Sequence, residues 1–118
     1  MDVAAEIHKI INATINFSQK TQDSTKIAEL LHLTKNFLFV LDTNKEVPYR
    51  IAIICEYLEG IGELLPSIDV QTVINYLNDP TNKAQQQDIC ADVNKVLIKY
   101  FDPEKINPNL VTFWLGRS

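Results

Sequence analysis

Glycine and arginine are scarce in this chain, with three and two copies among 118 residues, and cysteine occurs twice. Each shortage excludes something. Gly60-Ile61-Gly62 lacks the third glycine and the lysine of a phosphate loop, and no strand pattern precedes it. Cys55 and Cys90, 35 residues apart, make neither a disulfide framework nor a zinc spacing and read as reduced packing residues. Adding His8 and His32 gives a zinc set by count only, because their spacings match no ligand pairing, so no metal or other cofactor is expected. With arginine only at 50 and 117 and a net charge of −4, the chain lacks the basic face that nucleic acid requires. No run approaches the roughly 18 apolar residues of a membrane span. The start, Met1-Asp2-Val3 with Glu6 close behind, is unlike a secretory signal, so an intracellular protein, cytoplasmic or nuclear, is expected. Two sequons, Asn12-Ala13-Thr14 and Asn16-Phe17-Ser18, therefore read as coincidence.

What is present is helical periodicity. Strand-type alternation is missing throughout, and 46% apolar with 22% charged residues is ordinary globular composition. The length suits one domain, residues 1–118, that buries roughly two-thirds of its unfolded surface. Val3, Ile7, Ile10, Ile11 and Phe17 predict a first helix over 3–18. Asp23 or Ser24 caps a second over 25–41, with Ile27, Leu30, Leu31, Leu38 and Leu41 as its main stripe and Leu33, Phe37, Phe39 and Val40 off it, which suggests burial on more than one side. Pro48 opens a third, with the stripe Ile51, Ile54, Cys55, Leu58, Ile61 and Leu65, which Pro66 ends. Asp69 caps a short helix carrying Val70, Val73, Ile74 and Leu77. A fifth helix covers 83–101, and Asn107-Pro108 opens a last one through Leu115.

Two blocks share one layout: a helix, a turn holding Asp42 or Asp79, then a stronger helix. An offset of 39 residues matches Ile51 with Cys90, Ile54 with Val93, Leu58 with Leu97 and Ile61 with Tyr100. With Asp42, Val47 and Arg50 in that order before the stripe, residues 25–101 resemble a HEAT/armadillo-type helical repeat. The resemblance implies hairpins stacked as a short HEAT-like α-α superhelix, with the second helix of each pair on the concave side. In the second block Gln86 and Gln87 stand where that family places its arginine. The rival all-α architecture is a compact four- or five-helix bundle.

Charge is the most informative feature. No Lys or Arg falls between Arg50 and Lys83, whereas Glu56, Glu59, Glu63, Asp69 and Asp79 do. Glu56, Glu59 and Glu63 follow i, i+3, i+7 spacing on one helix face. They read either as a solvated face or as an acidic surface for a basic partner segment. General acid–base work needs two carboxylates in different environments, which an exposed row does not offer, and no nucleophile motif is present. Lys95, Lys99 and Lys105 suit the C-terminal end of a helix dipole. The apolar run Leu110-Val111-Thr112-Phe113-Trp114-Leu115 must be covered either by its own core or by another chain, with Trp114 as anchor in the second case.

The expected function is a non-catalytic adaptor or scaffold domain that binds a protein partner through Glu56, Glu59 and Glu63, with Leu110, Phe113 and Trp114 as a second candidate surface. The alternative is a small self-associating bundle, a homo-oligomer through its C-terminal segment, serving as a structural or regulatory subunit of a larger assembly, a viral one included. Fourteen Ile, ten Asn and nine Lys against two Arg suggest an AT-rich coding sequence.

Overall fold

Asp2 and Asp23 each stand at the start of a helix. Asp2 Oδ1 accepts from the Ala5 N–H at 3.1 Å and Asp23 Oδ1 from the Lys26 N–H at 3.1 Å, each cap contributing about 1 kcal/mol. They open α1 (Val3–Lys20) and α2 (Ser24–Thr43) in a computed structural model that describes residues 1–100. α3 (Val47–Leu64) begins without a side-chain cap but with Pro48 in its first turn, where a missing N–H costs nothing. α4 (Gln71–Asn78) follows Asp69, whose Oδ1 accepts from the Gln71 N–H at 3.2 Å and whose Oδ2 takes the Thr72 hydroxyl at 2.9 Å. No described residue is in a strand, so the architecture is all-α.

One boundary departs from expectation. The fifth helix does not begin at residue 83: Pro80–Gln85 wind as a 3₁₀ helix and α5 runs Gln86–Tyr100. Asp79 Oδ1 draws in both the N–H and the hydroxyl of Thr81 at 2.9 and 2.8 Å, while Asn82 Nδ2 donates back to the Tyr76 carbonyl at 2.9 Å. These bonds tighten the first turn below α-helical pitch. The expected helix after Pro108 lies outside the described residues.

Among the described residues the core draws on all five α-helices: Ile7 and Ile11 from α1, Leu38 and Leu41 from α2, Leu58 and Ile61 from α3, Val73 and Leu77 from α4, Val93 and Leu97 from α5. Each large aliphatic buried in full contributes roughly 1.5–3 kcal/mol. α2 packs on α3, α3 on α4 and α5, and α1 on α5 and α4. Axial extents of 42 × 30 × 18 Å describe a slab about two helices deep, with the middle dimension set by helix length. In a nearest-neighbour stack the first helix would rest on the pair that follows it. Here α1 rests mainly on α5, so the first helix closes against the last described one.

α2 is buried along Ile27, Leu30, Thr34, Phe37, Leu38 and Leu41, with Leu33 and Val40 half-covered on its α3 side. Phe39 departs from the expected burial on several sides and is 63% exposed. Both sequons lie within α1. Thr14 and Ser18 are buried, their hydroxyls donating to the carbonyls of Ile10 at 2.9 Å and Ile15 at 2.7 Å, so neither sequon is a surface loop. No helix among the described residues is long and apolar enough to cross a membrane.

Candidate partner-binding groove

The inner stripe of α3 (Ile51, Ile54, Cys55, Leu58, Ile61) is buried, and the 3.6-residue period turns Glu56, Glu59 and Glu63 outward. All three are exposed, as the spacing predicts. They are not spread over a featureless helix face. Glu56, Glu59 and Glu63 line a cleft of about 330 Å³ between α2 and α3, with Leu33, Phe37, Val40 and Ile53 as its apolar part and Asn36 beside them. Glu59 and Glu63 also border a second cleft, of about 550 Å³, on the side of the α3–α4 connection with Pro66, Ile68 and Val70. The acidic row is therefore a ridge beside a cleft of mixed polar and apolar lining, with a second such cleft beyond Glu59 and Glu63.

Two glycines bring the walls together. A Cβ at Gly60 would lie 2.7 Å from Leu33 Cδ1, and one at Gly62 would lie 2.6 Å from Val70 Cγ2. Gly60 lets Leu33 lie flat across α3 in the first cleft, and Gly62 lets the chain after α3 fold back closely. Beneath the first cleft Phe37 stacks on Tyr57, ring centroids 4.1 Å apart and planes 3° from parallel. The Tyr57 and Thr34 hydroxyls meet at 2.9 Å in full burial.

Charge on the ridge is uncompensated. Among the described residues the ion pairs are Lys9–Glu6 and Lys45–Asp42, both exposed and remote in sequence from α3's glutamates. Cys55, on the inner face beneath the ridge, has its thiol pushed up to about 11, first by burial and then by the Glu59 charge. At neutral pH it is a thiol and not the nucleophilic thiolate; its hydrogen points to Asn78 Oδ1 at 3.8 Å. Burial also raises the Cys90 thiol, with the Arg50 charge opposing.

The remaining candidates are dispersed. His32 is exposed on α2, Cys55 and Cys90 are buried, and among the described residues no three His, Cys, Asp or Glu side chains gather as metal ligands. His8 joins a polar ring instead. Its Nδ1 lies 2.6 Å from Tyr100 Oη, Tyr100 Oη donates to Asn12 Oδ1 at 3.1 Å, and Asn12 Nδ2 lies 3.0 Å from His8 Nε2. With the neutral proton on Nδ1 all three bonds run in one direction and tie the end of α5 to α1. Arg50 is likewise structural, donating to the carbonyls of Leu41 at 2.8 Å and Asn44 at 2.9 Å and to Asn94 Oδ1 at 3.0 Å.

Of the six residues singled out from sequence, Glu56, Glu59 and Glu63 form one edge of the groove, and Leu110, Phe113 and Trp114 lie outside the described residues. The α2 wall (Leu33, Asn36, Val40) was missed. Its signal was present as apolar residues off the main α2 stripe, but periodicity does not say which helix they face. Tyr49, 60% exposed, stands one turn before Ile53 on the groove side of α3 and was also missed. Comparison with protein-family models, with characterised proteins and with solved structures finds no match for this chain.

Proposed function

We propose that this chain is a protein-interaction domain, an adaptor or scaffold without catalytic chemistry, that holds a basic segment of another protein along the acidic edge of α3. One observation carries this reading: Glu56, Glu59 and Glu63 are exposed, lack a basic neighbour among the described residues, and line a cleft that also holds Leu33, Val40 and Ile53. The apolar part of the cleft supplies contact area, and an unneutralised acidic rim selects basic partners and speeds their association. A solvated helix face needs no cleft beside it.

The test is capture of partners by the wild type and by E56K/E59K/E63K, followed by direct titration of the purified partner. The reading expects a protein with a basic segment whose Kd rises at least tenfold in the variant and also on raising salt from 50 to 300 mM. Equal binding by both forms sinks it. Self-association is the second reading, favoured by Phe39 and Tyr49, which are 63% and 60% exposed. Sedimentation of wild type beside F39S/Y49S distinguishes it, because only a self-associating chain loses mass in the variant.

A further inference from the structure

The shape of the α2–α3 groove restricts the conformation of what fits it. Resting on the acidic-edge reading above, we infer that the partner segment is an amphipathic α-helix of about three turns, laid along the groove as a third helix. One row of its side chains is Lys or Arg at i, i+3 or i+4, and i+7, facing Glu56, Glu59 and Glu63. The adjoining row is aliphatic and rests on Leu33, Val40 and Ile53.

Three features lead there. Both walls are helices whose backbone N–H and C=O groups bond within their own turns, and Asn36 is the only amide side chain in the lining. An extended segment could place its backbone N–H groups on the glutamate carboxylates, but its C=O groups would find Asn36 as the one amide donor of the lining, whereas a helix satisfies both internally. The second feature is spacing. Glu56, Glu59 and Glu63 rise along α3 in steps of about 4.5 and 6 Å, which basic residues at i, i+3 and i+7 of a neighbouring helix reproduce. One face of a strand repeats every ~6.6–6.8 Å and falls out of step. The third is length. The groove's lining on α3 runs from Ile53 to Glu63, about 15 Å or three helical turns.

Charge decides against a second copy as the occupant. Pairing the same face of two molecules would set glutamate row against glutamate row, and residues 51–82 offer no Lys or Arg to relieve it.

Three labelled 16-residue peptides of identical composition test the inference by fluorescence anisotropy with the full chain. In the first, lysines and leucines form two adjacent helical rows. In the second, the lysines are scattered around the helix. The third keeps the first pattern but exchanges a flanking proline into its centre. We expect the first to bind at least tenfold more tightly than the other two, to gain helical circular dichroism on binding, and to weaken at least tenfold against E56Q/E59Q/E63Q, whose exposed changes leave the fold intact. If the proline peptide binds as well as the first and the glutamine variant weakens both, the helix inference falls while the acidic-edge reading stands. Failure of all three peptides overturns both. Binding unaffected by the glutamine variant removes the groove as the site, and a dimer that dissociates as peptide is added names a second copy as its occupant and overturns the inference.

Discussion

Beneath the groove, burial governs the acid–base behaviour of single residues on α3. Tyr57 is 4% exposed and its phenol is pushed up to about 12 by loss of water, the Thr34 hydrogen bond pulling slightly the other way. Cys55 stands at about 11 for the same leading cause. Both groups hold their protons more tightly folded than unfolded, so the stability they contribute is complete below about pH 9 and is lost as pH rises through 11 and 12. Each removes at most about 1.4 kcal/mol per pH unit across its own window. Urea unfolding at pH 8, 10 and 11 should show stability falling above pH 9, and Y57F should flatten the part above pH 10. An identical slope in the variant would contradict the assignment. None of this was legible residue by residue in the sequence: Tyr57 lies off the apolar stripe read for α3, and its burial comes with tertiary contacts such as those of Phe37 and Thr34 on α2.

At the scale of the element, α3 shows how a helix accepts glycine for the sake of its neighbours. Two glycines in its last turns cost about 1 kcal/mol each in propensity, and from sequence alone they mark either close packing or a frayed end. The helix continues to Leu64, and both glycines sit where a side chain would collide. The two collisions differ. Gly60 faces the methyl ends of Leu33, half-buried and able to swing, whereas Gly62 faces the β-branched and buried Val70, stiff at χ1. G62A should therefore lose about 1 kcal/mol net, overpacking outweighing the helix gain, and its Tm should fall by about 5 °C. G60A should stay near wild type in Tm. A reversed order would show that Leu33 is the firmer wall. The helix boundaries themselves were readable to within about two residues for α1 to α4, because caps and prolines act locally. The start of α5 was not, since Asp79 and Asn82 reshape it through side-chain bonds that no period reveals.

For the molecule as a whole, Arg50 is the joint. It caps the C-terminal carbonyls of α2 from the first turn of α3 and reaches across to Asn94 on α5, joining both helical pairs with one guanidinium. Asp42, near the end of α2, pairs with Lys45 rather than with this guanidinium. R50M should cost about 2–3 kcal/mol by orphaning two carbonyls and an amide oxygen. R50K should recover less than half of that, because one ammonium cannot span three acceptors in two directions. Thermal unfolding of the three proteins orders them, and equal loss in R50K and R50M would leave the aliphatic stem, not the fork, as the stabilising part.

The sequence by itself determined the all-α class, the start of α2 at Asp23 or Ser24, the inward stripe of α3 and the outward row of Glu56, Glu59 and Glu63. All of these depend on 3.6-residue geometry and on bonds between residues three or four apart. Only the tertiary structure decided that α1 closes on α5, that Leu33 and Val40 face Ile53 across a cleft, and that Arg50 reaches Asn94. Those depend on which helices meet, and a helix carries the same periodicity whichever neighbour it packs against.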